Sequence, residues 1–206
     1  MQKRIIGRHT GTQRGPLLIA IGGMHGNEPA GIEALKIIFK MLKEEPDRNP
    51  DFYFCGQFLG VRGNLQAIAQ DKRFLEKDLN RQMTLANVAR VKNTPDKELY
   101  AEDLELKQLL STMEQEVEAY QPDRLIILDL HTTTADGGIF SIVTDDPESV
   151  RMGVELHAPA IKGMLKGIQG TTLHYFHKTT MKVNTIPVTF ESGQHNDPLS
   201  IDRAVS

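Results

Sequence analysis

Short apolar runs alternate with segments of helical period along most of this chain. Leu17-Leu18-Ile19-Ala20-Ile21 is bounded by Pro16 and by Gly22-Gly23, and its length and β-branched content predict a buried strand. From Pro29 onward Ala30, Ala34, Leu35, Ile37, Ile38, Met41 and Leu42 recur at helical spacing, with Glu44, Glu45 and Pro46 expected to close that helix. Strand, glycine-rich loop and helix in direct succession mark the start of an α/β unit. Phe52 to Leu59 predicts a second strand ending at Gly60. Val61 to Lys97 is polar and irregular, apart from a short helix expected around Leu65 to Gln70. So long a connection in a compact domain is usually functional or mobile. Leu106, Leu109, Leu110, Met113, Val117 and Tyr120 form the apolar face of another helix, which Pro122 stops. Leu125-Ile126-Ile127-Leu128 predicts a further buried strand leading into Asp129-Leu130-His131-Thr132-Thr133-Thr134. Beyond it the pattern predicts strands at Ile139 to Val143, Thr171 to Tyr175 and Ile186 to Phe190. It also predicts a helix over Pro147 to Met164, divided at Pro159, and a last helix capped by Asp197 with Pro198 at its first position.

Composition narrows the class. A chain of 206 residues with 39% hydrophobic content suits one substantial domain with a packed core. The formal net charge of -3, with no basic stripe, argues against nucleic-acid binding. A single cysteine, Cys55, excludes an internal disulfide scaffold and points to a reducing compartment. No apolar run approaches the roughly 20 residues of a membrane helix. The charged first residues lack the apolar stretch of a signal peptide. A soluble cytoplasmic domain is therefore expected.

The chemistry concentrates in Gly22-Gly23-Met24-His25-Gly26-Asn27-Glu28-Pro29-Ala30-Gly31. His25 and Glu28, three residues apart at a strand-to-helix junction, can turn to the same side. Imidazole and carboxylate together suit zinc, whose catalytic sites take three protein ligands and keep a position open for water. His131 is the natural third ligand because it leaves the C-terminal end of another apolar strand, where open α/β sheets gather their ligands. Asp129 is placed to orient a histidine ligand from behind. Two alternatives stay open. A histidine after a strand is commonly a plain loop residue, and a glycine-rich strand-to-helix loop is more often a phosphate site. Neither a Gly-x-Gly-x-x-Gly fingerprint nor a lysine-bearing P-loop is present, however. His174 and His177 form a weaker candidate pair, and His9, His157 and His195 carry no partner pattern.

Four motifs come in order: the Gly-Gly-Met-His-Gly-Asn-Glu stretch, Arg73-Phe74-Leu75-Glu76-Lys77-Asp78-Leu79-Asn80-Arg81, Asp129-Leu130-His131-Thr132-Thr133, and Phe190-Glu191-Ser192-Gly193. This series resembles the succinylglutamate desuccinylase/aspartoacylase family, a branch of the zinc carboxypeptidase-like superfamily. The resemblance implies that His25, Glu28 and His131 hold one Zn2+ per chain, with Glu191 as general base. It implies that Arg73 polarises the scissile carbonyl, and that Asn80 and Arg81 bind the substrate carboxylate. Taken by themselves, Arg73 and Arg81 read equally as a solvated charge run, and Glu191 as an edge-strand carboxylate. The implied activity is hydrolysis of the amide of an N-acyl amino acid. A carboxypeptidase-like peptidase acting on small peptides and a non-catalytic metal-binding module are the alternatives. The expected fold is a three-layer α/β/α domain with a mixed, mainly parallel central sheet. The resemblance also implies that relatives continue into a smaller, mostly β C-terminal domain, which is expected to be absent from residues 1–206.

Overall fold

The computed structural model describes residues 2–135 and 138–206. Its strands are β1 (Ile5–Thr10), β2 (Gln13–Gly22), β3 (Cys55–Arg62), β4 (Arg124–Thr133), β5 (Phe140–Val143), β6 (Ala160–Ile161) and β7 (Asn184–Gln194). They form one sheet in the order β1-β3-β2-β4-β7-β5-β6. The central neighbours β3, β2, β4 and β7 run parallel, as do β5 and β6, whereas β1 joins β3 and β5 joins β7 antiparallel. The helices are α1 (Ala30–Arg48), α2 (Leu65–Ala69), α3 (Leu85–Asn93), α4 (Ala101–Tyr120), α5 (Pro147–Glu155), α6 (Thr172–Tyr175), α7 (Lys178–Met181) and α8 (Leu199–Val205). Among the described residues no helix is long and apolar enough to cross a membrane.

Strand alternation divides the core into two halves. Leu17, Ile19 and Ile21 of β2 join Leu59, Val61, Leu125 and Ile127 on one face, against Leu106, Leu109, Leu110 and Met113 of α4 and Val88 and Val91 of α3. On the opposite face Ala20, Phe58, Leu130 and Phe190 meet Leu35, Ile38 and Phe39 of α1, while Val143, Ile186 and Val188 pack on Val150 and Met152 of α5. Helices therefore cover both faces of the sheet, giving the expected three layers. Burying one such aliphatic side chain is worth roughly 1.5–3 kcal/mol, and a one-residue slip would turn every one of them to the wrong face. That fixes the register Ile21↔Asp129 and His131↔Glu191. The C-terminal ends of β2, β4 and β7 consequently open side by side.

Several predicted boundaries differ from the structure, each for a visible reason. The first helix continues through Pro46 to Arg48, because a proline in the last turn removes only one hydrogen bond there. The second strand covers Cys55–Arg62 rather than Phe52 to Leu59. Phe52 and Phe54 pack edge-on against His9 outside the sheet, and Gly60 leaves room for the Phe39 ring instead of ending the strand. Thr171 to Tyr175 is not a strand but leads into α6, since Thr172 spends its N–H and hydroxyl on tertiary partners. The helix expected to reach Met164 ends at Glu155, and Ala160–Ile161 pairs with β5. The pattern also misses β1, an edge strand with few apolar residues, and α3, which buries only Val88 and Val91.

Candidate metal centre and cleft

His25 and Glu28 lie in the turn between β2 and α1, closed by a hydrogen bond from Glu28 N–H to the His25 carbonyl at 3.2 Å. Gly26 donates its N–H to the Arg73 carbonyl at 3.2 Å. A Cβ there would drive into the backbone of Ala67 and Ile68, so only glycine lets this turn press against the following segment. The two side chains consequently share one side of the turn. His131 enters from β4, and the ligand atoms of His25, Glu28 and His131 all lie within 4.8 Å of one another.

The three are bound into one network. Glu28 presents Oε1 at 2.8 Å from His25 Nδ1 and Oε2 at 2.9 Å from His131 Nδ1, and accepts the Thr132 N–H at 3.1 Å. Both outer imidazole nitrogens meet carboxylates. Asp78 Oδ1 is 3.0 Å from His25 Nε2, and Asp129 Oδ2 is 2.9 Å from His131 Nε2. Asp129 is itself oriented by the Thr172 hydroxyl at 2.8 Å. Carboxylates behind metal-ligating histidines fix tautomer and ring orientation, and here they leave both Nδ1 atoms turned toward Glu28.

Electrostatics follow from burial and pairing. Burial pushes the Glu28 carboxyl up, but His131 and His25 outweigh it and hold it well below the carboxylate range. Asp78 behaves likewise, with burial outweighed by His25, Arg73 and Arg81. Burial alone would lower the His131 pKa, yet Asp129 and Glu28 raise it well above the ordinary histidine value. So strong a demand for positive charge between buried carboxylates suits a divalent cation held by two nitrogens and a carboxylate. Ligand atoms this close can be spanned, after a small contraction, by an ion with bonds of about 2.1 Å.

Around this cluster a cleft of about 290 Å³ is lined by residues including Arg73, Asn80, Arg81, Thr132, Glu191 and His195. Glu191 stands beside His131 on β7. Its Oε2 is buried without a hydrogen-bond partner. Burial raises its pKa, His131 and His25 oppose that, and Glu28 and Asp129 reinforce it. Arg73 is part-exposed and bridges Glu28 Oε1 at 3.3 Å and Asp78 Oδ2 at 3.2 Å. Asn80 is buried, accepts the Thr172 N–H at 3.0 Å through Oδ1, and brings Nδ2 to 3.2 Å from His131 Nε2. Arg81 donates to the Asn80 carbonyl at 2.7 Å and faces the cleft.

The seven residues given metal, catalytic or substrate roles thus meet at one cleft, and Asp129 stands behind His131. The weaker pair does not join it as ligands: His174 contacts the Thr171 hydroxyl, and His177 caps α7. Sequence reasoning missed three participants. Asp78 was hidden in a charge run, although it opens the Asp-Leu-Asn-Arg motif. Thr172 carried no signal. Glu102 was masked as one acidic residue on a helix, yet it is fully buried and gathers the N–H groups of Leu75, Glu76 and Lys77.

Known proteins resemble this chain to different depths. A probable aspartoacylase from Nostoc is 32% identical over 130 residues, which is 62% of this chain and 39% of that protein. The succinylglutamate desuccinylase of Chromobacterium violaceum superposes with a TM-score of 0.64 at 20% identity, over 92% of this chain and 56% of its own. Murine aminoacylase 3 gives 0.56 at 21% identity, over 96% of this chain and 63% of its own. At these identities the structures show a shared fold, and the chain spans little more than half the length of the desuccinylase. Residues 14–204 match the profile of the succinylglutamate desuccinylase/aspartoacylase catalytic domain. With nearly the whole chain inside that match, the protein belongs to the succinylglutamate desuccinylase/aspartoacylase family.

Proposed function

We propose that this chain is a zinc-dependent amidohydrolase that splits an N-acyl amino acid into its acyl acid and free amino acid. The observation that carries the reading is the meeting of a buried His25-Glu28-His131 cluster with the unpartnered carboxylate of Glu191 in one cleft. A binding module has no need of a carboxylate with a buried, unpartnered oxygen beside its metal ligands. Names borne by relatives, a desuccinylase, an aspartoacylase and an aminoacylase, all denote cleavage of such amides.

His25, Glu28 and His131 would hold the ion. When bound, zinc lowers the pKa of water toward about 7 and polarises carbonyl oxygens. Glu191 then takes a proton from the attacking water and returns it to the leaving amine, a task suited to a carboxyl whose pKa is raised. Arg73 swings from Glu28 and Asp78 toward the scissile carbonyl and stabilises the charge that develops on its oxygen. Arg81 binds the substrate carboxylate through its planar fork, as lysine cannot. Asn80 supports it with an amide hydrogen while Thr172 fixes its orientation.

The test is metal analysis of the purified protein, with hydrolysis of N-succinylglutamate, N-acetylaspartate and short peptides measured before and after chelation. Zinc-dependent release of amino acid from an N-acyl substrate is expected. Cleavage of peptides alone, or full activity in metal-free protein, would overturn the proposal.

A further inference from the structure

His195 carried no signal in the sequence, yet it sits on the wall of the cleft. Its backbone N–H donates to the Thr133 carbonyl at 2.9 Å, which extends the pairing of β7 with β4 by one residue. Its Nδ1 is 2.6 Å from the Thr132 hydroxyl, and Thr132 in turn donates its N–H to Glu28. The ring is therefore tied on one side to the peptide that holds the metal-ligand carboxylate. Its Nε2 has no solvent exposure and no hydrogen-bond partner.

Alternation along β4 sets the direction. His131 turns toward Asn80 and the segment that carries Arg81, whereas its neighbour Thr132 turns toward His195. Asn80 and His195 thus lie on opposite sides of β4 where it enters the cleft. Under the deacylase reading, on which this inference rests, Asn80 and Arg81 take the carboxylate of the amino-acid half. An oxygen reaching His195 therefore belongs to the acyl half. The direction of the Thr132 contact goes with the tautomer of the ring; in the form where the hydroxyl donates to Nδ1, Nε2 carries the hydrogen and is a donor. A buried donor without partner is costly, and an incoming oxygen that satisfies it displaces no existing hydrogen bond. His195 is among the residues that line the cleft, so a substrate oxygen approaches the ring from there.

We propose that His195 is a specificity-determining residue that binds the terminal carboxylate of a dicarboxylic acyl group, so that the site favours N-succinyl over N-acetyl amino acids. The amino-acid half can be held constant by comparing N-succinylglutamate with N-acetylglutamate on wild-type protein, His195→Ala and His195→Gln. The expected result is an at least tenfold fall in the succinyl-to-acetyl ratio of kcat/KM for His195→Ala, carried mainly by KM. Partial recovery is expected in His195→Gln, whose amide restores a donor. A second arm measures binding of succinate and of acetate to the zinc-loaded proteins by calorimetry, with zinc content determined in each. Wild type should bind succinate at least tenfold tighter than acetate, and His195→Ala should lose that preference. Equal losses on both substrates, or no preference for succinate in wild type, would overturn the proposal. Succinate selectivity without turnover of either amide would retain His195 as an acyl-binding residue while refuting the deacylase reading.

Discussion

Glu102→Gln tests how the arginine-bearing segment is held in place. Glu102 is fully buried at the start of α4. Its Oε1 accepts the Leu75 N–H at 2.7 Å and the Asn64 side-chain amide at 3.0 Å. Its Oε2 accepts the N–H groups of Glu76 at 3.0 Å and Lys77 at 3.3 Å. Arg73 and Asp78 flank these residues, so one carboxylate anchors the segment that supplies both. Glutamine keeps the shape but has only one acceptor. Keeping the two bonds made by Oε1 sets its NH2 against the donors of Glu76 and Lys77. Losing two hydrogen bonds to a charged group, at about 1.5 kcal/mol each, gives a cost of about 3 kcal/mol. That is a large share of a typical stability of roughly 5–15 kcal/mol. For this chain length it corresponds to a fall in Tm of about 6–12 °C. Urea denaturation and thermal melts would measure it. Activity should fall through misplacement of Arg73, and zinc should bind more weakly through misplacement of Asp78, which metal analysis of the variant would measure.

The loss should depend on pH in one direction. Burial pushes the Glu102 pKa up, but the donors of Leu75, Asn64, Glu76 and Lys77 outweigh it and hold it below the ordinary glutamate value. A depressed carboxyl contributes stability above its unfolded pKa of about 4.3 and loses it as pH falls through the folded value. The gap between wild type and Glu102→Gln should thus be complete at pH 7 and narrow in acid. A variant within about 0.5 kcal/mol of wild type at pH 7, the ordinary range of surface substitutions, would refute the anchoring role.

Three further changes probe the site itself. Glu191→Gln should retain zinc while lowering kcat by about 10²–10⁴, the usual range for general acid–base catalysis; loss of zinc in metal analysis would show that Glu191 is a ligand instead. Asp78→Asn, which removes the carboxylate behind His25, should weaken zinc about 10–100-fold in competition with a chelator; unchanged affinity would assign Asp78 to Arg73 alone. Gly26→Ala should destabilise the fold by about 1–3 kcal/mol through overpacking on Ala67 and weaken metal binding with it; a stable variant with full zinc affinity would show that the turn can move away without disturbing His25.

The sequence by itself determined the buried strands β2 and β4, the apolar faces of α1 and α4, and the turn that sets Glu28 beside His25. Each depends on residues within a few positions of one another, so hydrophobic period and turn chemistry suffice to read them. It also placed His131 at the end of an apolar strand, where an open α/β sheet gathers its ligands, whereas Glu191 stood out only through the family resemblance. The edge strand β1 and the helix α6 escaped, because neighbours rather than local pattern decide them: β1 is held by pairing with β3, and Thr172 by Asn80 and Asp129. Asp129 apart, the tertiary structure alone decided which polar groups orient the cluster. Asp78 meets His25 across 53 residues, Thr172 meets Asp129 across 43, and His195 meets Thr132 across 63. Such contacts leave no periodic trace, because burial of the apolar faces closes those loops and the polar side chains take the partners that closure delivers.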